Sequence, residues 1–353
     1  MPFVDITLPS GTFSICYDIS TPTSGSKSAD VIDPSLPTIL FIHSGYIGRV
    51  VFELQFADKR LRRFNLVVFD QRGFGDTVGD IGYELYTPTE SARDVEQIIT
   101  KLDLPPCHLF ALSNGCTVAL EFTEMRPDLV LSVCLCSPLP PVEPEDVASG
   151  LLQIHDYWMD MCNLVETHGE DSDEVREFVV DIAVGTTQLL FNNEKTNRLD
   201  SLSAFAMQKC ERIWSGTEEA KQQARKTCVE WLLKRKPWTD ESLKSVKVPV
   251  SIIHCTEDVA YPVYCSEDLK EALERTGNSR VSLHQVPAAH YGCVTNPGPI
   301  NKILYDTVTS CHPELLPSLD QLSLSDEDEE ELVPTPFTES IEAYGYNQEE
   351  DSL

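Results

Sequence analysis

Hydrophobic positions along the chain follow two different rhythms. Residues 3–19 alternate apolar and polar on either side of Pro9-Ser10-Gly11, the period of two that predicts a β-hairpin. Residues 20–36, rich in Ser, Pro, Thr and Asp, read as a loop. The alternation then gives way to short continuous apolar runs from Thr38 to His43, Leu66 to Asp70, His108 to Leu112 and Val130 to Cys136. Runs of this length, closed by Gly- or Pro-containing turns, predict strands buried on both faces of a parallel sheet. Between them, Thr87-Pro88-Thr89-Glu90 predicts a helix start, with Thr as cap and Pro in the first turn, and Ser113-Asn114-Gly115 opens a helical stretch to about Met125.

The rhythm changes at Pro140-Pro141. From 142 to 245 no stretch reads as a strand, and Leu151, Ile154, Trp158, Met161 and Val165 recur at spacings of 3, 4, 3 and 4, the stripe of an amphipathic helix. Helical character continues to about Lys236. Strand character returns from Val248 to His254, followed by a helix near 263–275, a strand from Val281 to Val286 and a last helix near 297–310. The predicted architecture is therefore an α/β core of mostly parallel sheet flanked by helices. Its two parts, 1–141 and 246–312, are split by a helical insertion, 142–245, and followed by a tail, 313–353. No internal repeat is visible.

Composition narrows the class. A chain of 353 residues with 41% hydrophobic and 24% charged residues suits a globular protein that buries a sizeable core. No apolar run approaches the ~18 residues of a membrane span. The start, Met-Pro-Phe-Val-Asp-Ile-Thr, has neither a basic nor an apolar leader region, so a cytoplasmic location is expected. The 27 basic against 57 acidic residues give a net charge of −30, of which residues 313–353 carry −13 with no Lys or Arg. Such a field repels phosphate backbones and anionic surfaces, which argues against nucleic-acid binding. The tail, with its Ser-Asp-Glu-Asp-Glu-Glu-Glu run, is expected to be disordered beyond about residue 318 and dispensable for catalysis. Ser323 and Ser325 each precede an Asp by three residues, a pattern resembling acidic-directed kinase sites. The twelve cysteines are scattered without a CxxC pair and read as reduced, buried thiols, so neither a metal nor a disulfide framework is expected.

Candidate chemistry begins at Ala111-Leu112-Ser113-Asn114-Gly115. A serine on a tight strand-to-helix turn, with small residues two places before and after it, has its hydroxyl lifted clear of the sheet. The same residues also fit an ordinary serine N-cap. A serine nucleophile needs a base and the base needs an orienting acid. Of the 8 histidines, His290 in Pro287-Ala288-Ala289-His290-Tyr291-Gly292 follows a strand and sits among small residues, which makes it the best base. Asp258 follows the strand ending at His254 and is the candidate acid, with its neighbour Glu257 as rival.

With these residues in the order Ser113, Asp258, His290, the chain resembles the α/β-hydrolase superfamily, in its cap-bearing branch of the α/β-hydrolase-1 type, over roughly residues 10–312. Phe41-Ile42-His43-Ser44-Gly45-Tyr46 is similar to the family's His-Gly loop. Asp70-Gln71-Arg72-Gly73-Phe74-Gly75 resembles its Asp-x-Arg-Gly-x-Gly turn, and Ala111 to Gly115 its nucleophile elbow. Ser44 and Ala111 stand where the family usually has Gly. The resemblance implies the α/β-hydrolase fold with an inserted helical cap, a catalytic triad of Ser113, Asp258 and His290, and no cofactor. It also implies an oxyanion hole from the backbone N–H of Asn114 together with Tyr46 or Gly45. A serine nucleophile, where relatives that open epoxides or remove halogens use an aspartate, implies acyl chemistry on a small apolar ester, lactone or related acyl compound.

All four tryptophans, Trp158, Trp214, Trp231 and Trp238, fall in the insertion. They fit helix–helix packing inside a cap. They also fit an apolar substrate pocket over Ser113, for which Trp158, Met161 and Trp214 are the candidate lining residues, with Met159, Phe205 and Met207 beside them. A second reading of the whole chain is a ligand-binding or interaction protein on a hydrolase scaffold with little turnover. The natural substrate, the choice of water or another acyl acceptor, and the oligomeric state are left open by the sequence.

Overall fold

The computed structural model of the chain describes residues 1–79, 81, 86–169, 172–314 and 332–347. The hairpin forms from β1 (Phe3–Leu8) and β2 (Gly11–Ser20), in register from Leu8 opposite Gly11 to Phe3 opposite Cys16. The apolar runs become β3 (Thr38–Ile42), β4 (Asn65–Phe69), β5 (Cys107–Leu112), β6 (Val130–Cys136), β7 (Val250–Cys255) and β8 (Val281–Val286). These eight strands make one sheet in the order β1-β2-β4-β3-β5-β6-β7-β8. The pairs β1–β2 and β2–β4 are antiparallel and the remaining pairs parallel. Every residue of β3, β4, β5 and β7 is buried, which is why those segments read as unbroken apolar runs, whereas the edge strand β8 is only partly covered.

Helices cover both faces. Between β3 and β4 lies the short α1 (Glu53–Phe56). α2 (Pro88–Lys101) starts where the sequence predicts, with the Thr87 side chain accepting from Glu90 N–H, and α3 (Asn114–Met125) leaves the end of β5. After β7 comes α10 (Tyr264–Arg275), and after β8 come α11 (Gly292–Thr295) and α12 (Pro297–Ser310). Ala92, Val95, Ile98, Val118, Ala119, Phe122, Leu269 and Leu273 build the core on one face of the sheet. Phe52, Phe56, Leu61, Leu304 and Val308 build the core on the other.

Between β6 and β7 the chain is helical: α4 (Glu145–His168), α5 (Asp173–Phe191), α6 (Asn197–Trp214), α7 (Glu218–Ala224), a π-helical turn over Arg225–Glu230, α8 (Trp231–Leu233) and α9 (Asp240–Leu243). This insert has a small core of its own around Trp158, Met161, Cys162, Ile182, Cys210 and Trp214, joined by Phe74 from the loop after β4. The two ends of the insert are tied together. Arg235 donates to the Glu143 carboxylate at 2.6 Å and to the Pro140 carbonyl at 2.8 Å, and the Glu143 and Arg235 side chains are each 3% exposed.

The tail departs from expectation. Leu332 to Asn347 folds back onto the molecule, with α13 (Thr338–Glu342) in its middle. Phe337 and Ile341 are fully buried, and the Phe337 ring packs 5.1 Å from that of Phe56. Val333 N–H donates to Ala57 at 3.0 Å, and Arg62 donates to the Pro334 carbonyl at 3.3 Å. The same segment reaches the insert. Tyr344 packs edge-to-face on Phe205 at 5.7 Å, Ser201 Oγ donates to the Tyr344 carbonyl at 3.2 Å, and Arg198 donates to the Tyr346 hydroxyl. Charge averaged over 313–353 hides this stretch, because only Glu339 and Glu342 of its residues are acidic while four aromatic or branched apolar side chains face inward. The acidic run and Ser323 and Ser325 lie outside the described residues.

Eleven of the twelve cysteines are buried. One group of possible metal-ligating atoms is found among the described residues, Cys16, Asp70 and Asp76. A cation of the protein's own already stands there. Arg49 donates to Asp18 at 2.7 Å, to Asp70, and to Asp76 at 3.2 Å, and burial pushes the Cys16 thiol up to about 12. Among the described residues no helix is long and apolar enough to cross a membrane.

Candidate active site

The turn from β5 into α3 puts Ser113 at φ 52°, ψ −119°, a backbone conformation that a side chain with a β-carbon resists. Crowding makes the small neighbour necessary. A β-carbon on Gly115 would lie 2.4 Å from the Ile42 carbonyl oxygen and 2.8 Å from that of His43, so only glycine lets α3 start so close to the end of β3. Ala111, fully buried inside β5, is small enough for the turn to form.

The three residues proposed from chain order meet. Ser113 Oγ lies 2.8 Å from His290 Nε2, and His290 Nδ1 lies 2.6 Å from Asp258 Oδ2. The other oxygen of Asp258 accepts from the N–H groups of Ala260 at 2.9 Å and Tyr261 at 3.0 Å. Glu257, the rival acid, is exposed and makes no part of this chain of bonds. Ser137, itself at φ 53°, donates from Oγ to the His290 carbonyl at 2.7 Å and fixes the loop that carries the imidazole.

The electrostatics suit a base and its partner. Burial alone would depress the His290 pKa, but the Asp258 charge and its hydrogen bond outweigh burial and raise it above the ordinary histidine value. Burial works against the Asp258 carboxylate too, and the imidazole with the two backbone N–H donors holds it below the usual carboxylate range. His43, at the end of β3, has both ring nitrogens committed: Nδ1 donates to the Ser44 carbonyl and Nε2 accepts from Gln71 N–H at 2.8 Å. Burial lowers its pKa, so it is a neutral strut of the loop.

The loop at 44–46 faces Ser113. Tyr46 has φ 73°, and Tyr291, next to His290 in sequence, donates its hydroxyl to the Gly45 carbonyl at 3.1 Å. Among the described residues the backbone N–H groups of Gly45, Tyr46 and Asn114 donate to no other backbone or side-chain acceptor. Ser44, Gly45, Tyr46, Ser113, Asn114, His290 and Tyr291 form the floor of a hollow of about 420 Å3 of atom-free space, its open mouth included. The insert supplies its roof: Leu151 from α4, Leu189 and Leu190 from α5, Thr227 and Cys228 from the π-helical turn, and Leu232 from α8.

A second, larger hollow, about 740 Å3 of atom-free space with its open mouth included, lies between α4, α5 and α6 and shares Tyr46, Leu190 and Cys228 with the first. Trp158 and Trp214 line this second hollow and not the one over Ser113. Met161 lines neither. It is 3% exposed and packs in the insert's own core, one helical turn beyond Trp158. Trp214 also pins the insert to the sheet domain, donating from Nε1 to the Gly73 carbonyl at 3.1 Å and packing against Phe74 at 5.7 Å. Tyr261 and Tyr291, on either side of the imidazole at 5.0 and 5.6 Å, adjoin Pro262 and His290, so their place in the site could have been read from adjacency alone. The roof residues come from three α-helices and a π-helical turn and left no local signal.

Residues 37–171 match the sequence family described as the alpha/beta hydrolase fold. A proline iminopeptidase of Arabidopsis thaliana is 31% identical over 98 residues, 28% of this chain and 25% of that protein. A probable lysophospholipase, BODYGUARD 4, of the same plant is 29% identical over 132 residues, 36% of this chain and 30% of that protein. The chain thus spans about a quarter to a third of the length of the curated relatives it matches. Among solved structures, a thermophilic esterase from Thermogutta terrifontis superposes with a TM-score of 0.63 at 15% identity, covering 88% of this chain and 100% of that one. An enol-lactonase from Burkholderia xenovorans superposes with a TM-score of 0.59 at 15% identity, covering 87% and 100%. These likenesses establish the fold.

Proposed function

From its membership of the α/β-hydrolase superfamily, we propose that the chain is a serine hydrolase acting on an apolar ester, lactone or related acyl compound through an acyl-enzyme. The single observation that carries this reading is the unbroken run of hydrogen bonds from Ser113 through His290 to Asp258 at 2.8 and 2.6 Å. Ser113 Oγ attacks the carbonyl carbon while His290 Nε2 takes its proton. Asp258 keeps the proton of Nδ1 in place, so that Nε2 is the free lone pair, and stabilises the imidazolium that forms. The N–H of Asn114, with that of Tyr46 or Gly45, receives the oxyanion, each donor contributing on the order of 3 kcal/mol. His290 then gives its proton to the departing alcohol, and water attacks the acyl-enzyme by the same path.

Leucines at 151, 189, 190 and 232 in the roof favour an uncharged, apolar acyl group, and no acidic or basic side chain other than His290 lines the first hollow among the described residues. A free amino terminus, as a peptide substrate would present, finds no carboxylate there. The second hollow, which shares Tyr46, Leu190 and Cys228 with the first, gives room for the far end of a longer acyl chain. A fluorophosphonate probe tests the reading: wild type is expected to be labelled covalently and Ser113→Ala not at all. Folded wild type that resists labelling would favour the binding-protein alternative.

A further inference from the structure

One buried side chain in the insert stands outside this scheme. His155, on α4, is 7% exposed, yet neither Nδ1 nor Nε2 has a hydrogen-bond partner. The Asp156 carboxylate, itself largely in solvent, is 3.6 Å from Nδ1, beyond hydrogen-bond reach. Burying an imidazole with both nitrogens unpaired is costly, and such groups in folded proteins call for a cause. His155 also occupies a particular place. It lines the second hollow, while Leu151, one turn earlier on the same face of α4, lines the hollow over Ser113. Four residues of helix advance about 6 Å, so the two side chains mark successive points of one track leading away from the nucleophile.

Four other polar side chains of that wall are already spent, which leaves the hydroxyls of Tyr46 and Ser203 as its remaining polar groups. Thr186 and Thr187 turn their hydroxyls onto the Ile182 and Ala183 carbonyls at 2.7 and 2.8 Å, Trp158 Nε1 donates to the Trp214 carbonyl, and Trp214 Nε1 donates to Gly73. A water molecule placed beside His155 would therefore find few other partners in a wall that is mostly aliphatic and aromatic. Burial lowers the pKa of His155 against the opposing pull of the Asp156 carboxylate, with the Arg225 charge adding to the fall, and a neutral imidazole carries one donor and one acceptor.

We propose that His155 is a specificity-determining residue that hydrogen-bonds a hydroxyl or keto group on the far part of an otherwise apolar acyl chain seated at Ser113. This rests on the hydrolase reading for the position of the carbonyl, and it narrows the substrate class from apolar acyl esters to oxygenated ones. An apolar pocket alone discriminates weakly against an added hydroxyl. A buried group that needs a partner discriminates strongly against its absence.

The test uses p-nitrophenyl octanoate and a series of p-nitrophenyl hydroxy- and keto-octanoates in which the oxygen is moved along the chain carbon by carbon. Wild type is expected to prefer one oxygenated position over the plain chain by about 10- to 100-fold in kcat/KM, and His155→Leu to lose that preference. His155→Gln, which keeps a donor and an acceptor, is expected to recover part of it. His155→Leu is also expected to melt higher than wild type, because it removes two unpaired buried nitrogens. Titration calorimetry on Ser113→Ala with the matching methyl esters reads binding without turnover. A wild type indifferent to the oxygen at every position, or a preference that survives in His155→Leu, would overturn the proposal. Oxygen-selective binding by Ser113→Ala together with a wild type that hydrolyses none of the esters would overturn the hydrolase reading and leave the role of His155 standing.

Discussion

Ser113 holds a strained turn, His290 a raised pKa and Asp258 a depressed one, and in the proposed reaction these three departures act on the same proton. The base must be neutral to accept the serine proton, so kcat/KM should rise as pH climbs through the His290 value, with the rise centred above the ~6.5 of an unperturbed histidine. A pH profile centred below that value would contradict the pairing with Asp258. Asp258→Asn should keep the geometry and lower kcat by about 10,000-fold, because Nδ1 would then favour the wrong tautomer. Ser113→Ala combined with His290→Ala should cost little more than either alone, since the residues act as one unit. The same shifts couple to stability. A raised His290 value stabilises the fold below the unfolded pKa, and this contribution is lost as pH rises through the folded value. The depressed Asp258 value stabilises the fold above the unfolded carboxylate pKa, and this is lost as pH falls through the folded value.

The segment Leu332–Asn347 is an element the chain could have done without on charge grounds, yet it joins two others. Phe337 seals the end of α1 against Phe56, while Tyr344 and Tyr346 hold α6 through Phe205 and Arg198. Arg198 in turn pairs with Glu53 on α1, so core helix, insert helix and tail meet at one guanidinium. Deleting residues 332–353 should lower the melting temperature by about 5 °C or more, and Phe337→Ala should cost about 3–5 kcal/mol in denaturant unfolding. Unchanged melting after the deletion would mean that this segment adds nothing to the fold.

At the scale of the whole molecule, the sheet domain carries Ser113, Asp258 and His290, and the insert encloses the volume above them. Asp76 on the sheet domain is met by Lys209 at 2.6 Å and Arg212 at 3.1 Å from α6, and Trp214 reaches down to Gly73, so the insert is held over the site at several points. Reach into the second hollow should then depend on side chains that never touch Ser113. Ala206, on α6, lines that hollow. Ala206→Phe should lower kcat/KM for p-nitrophenyl decanoate relative to acetate by about 10-fold or more, read as a ratio within the same protein. An unaltered ratio would place the acyl chain elsewhere.

The sheet was legible because β3, β4, β5 and β7 are buried on both faces and so had to be written as apolar runs, and because the turns after them need glycine where backbones collide, as at Gly115. Ser113, Asp258 and His290 were legible for a related reason. Each follows a strand end, and a parallel sheet gathers its strand ends on one edge. Nothing local could reveal which face of the insert looks down. Trp158 and Met161 lie on one apolar stripe of α4, yet Trp158 reaches a hollow and Met161 is sealed in a core, a difference set by how the neighbouring helices pack on successive turns. The inward turn of Phe337, Ile341 and Tyr346 was hidden in the same way. Composition averages over a tail, whereas burial depends on the surface each side chain finds, and that surface exists only once α1 and α6 have come together.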